Sequence, residues 1–373
     1  QPALPFQLLD LRVDADAGKL GGDDLAAAAR VAGRRQLQAE REAVAVAGFL
    51  ALNPILLYYS RFMRNDVLVA GFALFAFAFA VRALDTDRRA YLVPAGIALG
   101  LAFTAKENAL LYVVSWVGGL VFLLDHRLFT ARGRGEAWTT VAKTRLRETA
   151  TGLRAWAPWI LTGLVGWLLV IVVFYAPRPA FGDPARLAFV LEAATIGAGE
   201  ALVGQWITGG LQEHSYIDFL KYAVEDVVAV SLPVFVFGLG GFLLDRYADQ
   251  RPRDLVAFCG FWAIASFLGY PAASDLAADW SLVHAVVPMT VPAAVGVVAV
   301  LDRGVEGVRE DERLDAALAA IVLFAVVAQG GYTAVDTAYL QPQSDDNALV
   351  QYGQPGGHAQ EKLEEVMRLS RDN

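Results

Sequence analysis

Residues 53–114 read NPILLYYSRFMRNDVLVAGFALFAFAFAVRALDTDRRAYLVPAGIALGLAFTAKENALLYVV. Apolar runs alternate here with charged knots that are too short to be domains. The first knot is Ser60-Arg61-Phe62-Met63-Arg64-Asn65-Asp66, and the second is Lys106-Glu107-Asn108. Each run approaches the roughly 20 residues that cross a hydrocarbon layer as a helix. The pattern therefore predicts membrane-spanning helices with basic and acidic side chains at their ends. Charges placed so close to hydrocarbon are costly unless they are paired or used.

The rest of the chain follows this reading. Of its 373 residues 56% are apolar and only 19% charged, with a mean hydropathy of +0.43. Soluble domains carry about 25% charge, so the composition predicts an all-α polytopic membrane helix bundle in contact with a lipid bilayer. A net charge of −8 argues against a nucleic-acid partner. Cys259 is the one cysteine, so an intrachain disulfide is impossible and it reads as a small packing residue.

About nine candidate spans can be placed: 43–59, 67–84, 90–105, 108–124, 157–176, 228–244, 255–271, 283–301 and 315–333. If they alternate, the arginines before the first span (Arg34, Arg35, Arg41) fall on one side. The basic loops after the second, fourth, sixth and eighth spans fall there too. The positive-inside rule makes that side cytoplasmic. The opposite loops are poor in base: 272–282 has Asp275 and Asp279 without a lysine or arginine, and 177–227 has Arg178, Arg186 and Lys221 against seven acids. Both charged knots then lie on the outer face, where Arg61, Arg64, Asp66, Lys106 and Glu107 are expected to converge.

Three segments flank the bundle. Residues 1–42 form a polar, Ala-rich cytoplasmic segment without the apolar stretch of a signal peptide, and Gln1 in place of methionine suggests a fragment or processed product. The outer loop 177–227 is too long for a simple connector. Asp183-Pro184 predicts a helix start, and Leu187, Val190, Leu191 and Ala194 share one face of an interfacial helix. Residues 334–373 form an extracytoplasmic tail, with a short solvated helix around Glu361–Arg368.

Asp66 is the sharpest catalytic candidate, as a general base or as holder of a phosphate-bound metal. The competing reading is a carboxylate paired with Arg61 or Arg64, or one favoured by the helix N-terminus. Arg61, Arg64 and Lys106 suit a phosphate or diphosphate, against the alternative of snorkelling at the interface. Glu107 is set either to join this site or to pair with Lys106. His284, near the outer end of the eighth span, is a candidate for sugar or phosphate contact, against a structural role. His214 with Glu213 and Asp218 matches no metal-binding spacing, and no metal ligand is assigned. Tyr58, Tyr59 and Trp280 read as an interfacial aromatic belt. Walker-type loops, HExxH and GxSxG are absent from the sequence.

The quoted stretch resembles the core of the C-type membrane glycosyltransferases, which include the dolichyl-phosphate-mannose protein mannosyltransferases and the aminoarabinose transferases. Asn53-Pro54, Tyr59-Ser60-Arg61, Asp66 and the run from Gly100 to Lys106 carry the likeness. Within that superfamily the chain is similar to the archaeal flippase-activity-associated protein of N-glycosylation clusters. The similar pieces are YYSRFMRNDVL, FTAKEN, DHRLF (125–129), RPRDLVAF (251–258) and DNALVQYGQP (346–355). The resemblance implies a multi-pass cell-membrane protein that uses a polyprenyl- or dolichyl-phosphate-linked sugar on the outer face. It implies no fixed cofactor, with a divalent metal at the first-loop acid as the one option, and other glycosylation-pathway membrane proteins as candidate partners. By resemblance Asp66 is the second-loop acid and Lys106 faces the lipid phosphate. The family's first outer loop, with its principal catalytic acid, has no counterpart in 1–42. Two functions are therefore expected: a polyprenyl-phosphate-sugar-dependent glycosyltransferase, or a non-catalytic factor that assists translocation or presentation of the lipid-linked sugar.

Overall fold

Asn53-Pro54 breaks the first apolar run. Proline cannot continue a helix that approaches it and pushes the preceding residue out of helical geometry, and Asn53 is accordingly extended (φ −65, ψ 126). Its side-chain oxygen accepts from the backbone N–H groups of Ile55 (3.0 Å) and Leu56 (3.2 Å), starting a new helix. In the computed structural model α1 (Gly22–Leu52) and α2 (Pro54–Arg61) meet at 49°. The expected continuous span 43–59 is thus a bent pair. The Asn53 amide also donates to the Ser231 hydroxyl at 2.7 Å, both groups being buried. Asn53→Ala is expected to lower stability by about 2 kcal/mol, since it removes a cap and strands Ser231. Thermal unfolding in detergent measures this.

The structure describes residues 22–106, 108–133, 135, 137–197, 199–200, 214–248, 252–274, 277–344, 346–350 and 357–371. Among them every regular element is helical. After α2 come α3 (Asn65–Thr86), α4 (Leu92–Ala105), α5 (Ala109–Gly133) and α6 (Trp138–Tyr175). They are followed by the short α7 (Leu187–Glu192), α8 (Tyr216–Asp226), α9 (Leu232–Leu243), α10 (Asp254–Ala273), α11 (Val283–Arg309), α12 (Arg313–Val335) and the terminal α13 (Gly357–Arg371).

Apart from 43–59, each of the nine apolar runs falls on one continuous helix. Among the described residues six helices are long and apolar enough to cross a membrane, or seven if the bent pair counts as one span. Arg89–Ala105 and Ala109–Leu124 are apolar but shorter. Several elements outrun the expected boundaries. The helix across the 42/43 boundary is unbroken, and the end of the expected loop 177–227 is already α8, which continues through a π-turn at Val227–Ser231 into α9. Asp183 caps as expected, accepting from the Ala185 N–H at 2.9 Å. Of the anticipated interfacial face, Val190 and Ala194 are buried whereas Leu187 and Leu191 are exposed.

The buried α11 packs against α9, α10 and α12. Small residues bring backbones together: a methyl group added to Gly241 would collide with the carbonyl of Pro292 on α11, and one added to Gly96 of α4 would collide with Gly163 of α6. The outer faces of α6 and α12 expose leucines, Ile321, Phe324 and Val327, as helices in contact with lipid tails do.

The two ends of the bundle differ in charge. At one end Arg253 meets Glu42 of α1 (2.6 Å) and Asp245 (2.6 Å), and Arg41 meets Asp302 (2.6 Å). Burial by itself would lower the Arg253 pKa, but the adjacent Asp245 and Glu42 outweigh it and lift it above the usual arginine value. The opposite end gathers the two knots, the segment before α11 and the residues that follow α12.

Candidate functional site

α2 ends in a tight reversal. Phe62 and Met63 form the turn, with Met63 in the left-handed region (φ 53), and the Arg64 N–H bonds back to the Tyr59 carbonyl at 3.0 Å. This sets Asp66 in the first turn of α3, where the helix dipole favours an anion. α4 ends as Lys106 turns to extended backbone, which brings the Lys106–Asn108 connection up to α3.

Asp66 is only 1% exposed and lies at the centre of a clasp. Its Oδ1 accepts from the Lys106 ammonium at 3.0 Å, the Asn108 amide at 3.2 Å and His284 Nε2 at 3.2 Å. The Arg64 guanidinium stands 3.6 Å from Oδ2. With Nε2 donating to the carboxylate, Nδ1 of a neutral imidazole accepts the Tyr112 hydroxyl at 2.5 Å. The Tyr270 ring stacks on His284, with centroids 4.5 Å apart. Tyr112 rests on Trp262, which closes the site from below. Among the described residues Asp66 Oδ2 and Asn108 Oδ1 have no hydrogen-bond partner.

Only the two cations of the clasp reach outward: the Lys106 side chain is 24% exposed and that of Arg64 is 29%. Arg64 also lies over the Trp280 ring at 3.8 Å. A ligand approaching from the bundle end would meet positive charge first, backed by a carboxylate that holds both cations in place.

The expected convergence is met in part. Arg64, Asp66, Lys106 and His284 come together, but Arg61 does not join them. Its guanidinium donates to the Ala338 carbonyl and lies over the Tyr339 ring at 4.0 Å, because the last turn of α2 faces the end of α12. Glu107 lies outside the described residues, and Lys106 pairs with Asp66. Tyr58 and Tyr59 are not belt residues. Both are fully buried, and their hydroxyls donate to the carbonyls of Pro342 (2.9 Å) and Leu349 (3.1 Å).

His214 contacts the carbonyls of Ser215 and Ser274, and Glu213 is outside the described residues. Among the described residues no group of three His, Cys, Asp or Glu side chains is placed to hold a metal ion. A divalent cation also fits poorly at Asp66, whose charge two cationic groups already balance.

Sequence reasoning missed Asn108, Tyr112 and Tyr270 as site residues. Asn108 stood within the second knot, and Tyr112 follows it by one helical turn, so a shared face was a usable signal. Tyr270 sits within an apolar run without any local signal.

The fold and this site define a multi-pass, all-α membrane protein with an ion-paired polar site at one end of its bundle. Residues 30–134 match the family model of the dolichyl-phosphate-mannose-protein mannosyltransferases, so in this stretch the chain is similar to a family of membrane glycosyltransferases. The matched stretch contains Asn53-Pro54, Asp66 and Lys106. No curated protein and no solved structure matches the chain.

Proposed function

We propose that this protein binds a polyprenyl-phosphate-linked sugar at the Asp66 end of its bundle, facing outward from a cell membrane, and passes the sugar to an acceptor in a protein-glycosylation pathway. One observation carries this reading: Lys106 and Arg64, both partly exposed, are pinned on one buried carboxylate, and an apolar cavity is lined by residues on either side of the same turn. Arginine's fork and lysine's point charge suit a phosphate. The cavity, about 300 Å³, lies between α2 and α3 and is lined by Leu50, Leu56, Ser60, Val67, Gly71 and Leu74. Ser60 and Val67 adjoin the charged turn, so a headgroup at the cations leaves its hydrocarbon tail a lateral path into lipid. The similarity to lipid-linked mannosyltransferases supports the same ligand class. In this arrangement Asp66 serves as the fixed anion that aligns the cations.

The test is binding of polyprenyl phosphate by the protein in nanodiscs. Lys106→Met is expected to weaken binding about tenfold, the equivalent of 1.4 kcal/mol, while binding of uncharged polyprenol stays the same. Equal affinity of the unmodified protein for polyprenol and polyprenyl phosphate would remove the reading. Orientation is tested by cysteines placed at 64 and 106, since the native Cys259 is buried. Both are expected to react with an impermeant thiol reagent added outside.

A further inference from the structure

Asp226, at the end of α8, and Asp279, in the turn before α11, form a second acidic centre at the same end of the bundle. They are 5% and 3% exposed. Their carboxyl groups lie within hydrogen-bonding reach of each other. Asp279 Oδ2 lies 3.4 Å from the Tyr59 hydroxyl oxygen, whose hydrogen points to the nearer Leu349 carbonyl, and the Tyr222 hydroxyl also reaches Asp279.

This pair differs from Asp66 in what surrounds it. Among the described residues no lysine, arginine or histidine forms an ion pair with either carboxyl group, whereas Asp66 has two cationic partners, Lys106 and Arg64, and a hydrogen bond from His284. The titratable groups that face the pair are Tyr59 from α2 and Tyr222 and Glu225 from α8, and none of them is cationic. Independently of their contact, each carboxyl keeps one buried oxygen, Asp226 Oδ2 and Asp279 Oδ1, without a hydrogen-bond partner among the described residues. Two touching carboxylates removed from water cannot both carry charge without a counter-ion. One proton shared between the facing oxygens removes one of the two charges and holds the remaining carboxylate by a hydrogen bond.

We propose that Asp226 and Asp279 hold one proton between them and act as the proton acceptor for sugar transfer, leaving Asp66 as the permanently ionised partner of Lys106 and Arg64. The proposal rests on the functional reading above and assigns its missing base. Two acidic centres whose surroundings differ in this way divide acid–base work between them. They stand close together: Arg64 touches both Asp66 and the ring of Trp280, the residue next to Asp279.

In the step, the O–H bond of a hydroxyl acceptor breaks and its proton passes to the ionised member of the pair, which becomes neutral. The acceptor oxygen bonds to the anomeric carbon as the bond from that carbon to the phosphate oxygen breaks. The polyprenyl phosphate leaves with the electron pair, its negative charge met by Lys106 and Arg64.

Two measurements test this. Infrared spectra of the protein in nanodiscs at neutral pH are expected to show the carbonyl stretch of a protonated carboxyl group, shifted in deuterated water. The band is expected to vanish in the near-isosteric double variant Asp226→Asn/Asp279→Asn and to remain in Asp66→Asn. Absence of the band from the unmodified protein, or its persistence in the double variant, overturns the shared proton. So does a rise in Tm on adding Mg2+ or Ca2+ that the double variant lacks, since the pair then holds a metal. For catalysis, release of sugar from polyprenyl-phosphate-mannose and polyprenyl-phosphate-glucose is followed with a hydroxyl acceptor. Each single Asn variant is expected to lose about 100-fold in turnover with donor affinity unchanged within about twofold. Undiminished turnover overturns the catalytic assignment. Failure of the unmodified protein to bind either donor defeats the functional reading, while the infrared result still decides the shared proton.

Discussion

Asp66→Ala is expected to destabilise the protein by about 3–5 kcal/mol, the cost of removing one partner from a buried ion pair. Lys106 and Arg64 would face each other without their common anion, and His284, fully buried, would lose the acceptor for its Nε2 hydrogen. Asp66→Asn should cost less, since the amide oxygen can still accept from Lys106 and only the charge is lost. A truncation of His284 alone would leave Asp66 with two cations and should be milder than Asp66→Ala. Thermal unfolding of the three variants in one detergent gives the order. An alanine variant as stable as the parent would mean that the clasp adds nothing to the fold and that the cations are held by their own helix ends.

Arg253→Met is expected to cost about 3 kcal/mol at the opposite end of the bundle. This guanidinium ties α1 to the end of α9 and the start of α10, through Glu42 at 2.6 Å and Asp245 at 2.6 Å, and its backbone N–H also bonds to Asp245 at 2.8 Å. The Glu42 and Asp245 side chains are 14% and 1% exposed, so neither recovers full hydration when the arginine goes. Adding Glu42→Gln and Asp245→Asn to Arg253→Met should restore part of the stability, because the two carboxylates that lost this guanidinium are then neutral as well. A triple variant less stable than Arg253→Met would show that the loss came from packing of the arginine stem.

Much of this architecture is legible along the chain because the bilayer imposes it locally. A run such as Val67–Leu84 must be helical wherever it sits, since hydrocarbon offers no partner for an unpaired peptide group. The basic loops also mark one end of the bundle. The bend at Asn53 was equally local, a proline preceded by a good cap, although the apolar run around it hid the break. The identity of the partners was not local. Asp66 and His284 lie 218 positions apart, and whether Arg61 or Arg64 turned toward the carboxylate depended on the reversal at Met63. Tyr58 and Tyr59 have the composition of interfacial residues, yet the segment holding Pro342 and Leu349 folds back and buries them.

From its residues alone the chain was bound to be an all-α membrane bundle with charge concentrated at the helix ends, because burying peptide groups in lipid leaves no other economical choice. Which charges met, and which acids were left without a cation, depended on helix rotation and on chain returning from far away in sequence. That is why Asp66 and the Asp226–Asp279 pair have opposite electrostatic surroundings in the folded protein, although the sequence distinguished only Asp66 as a candidate.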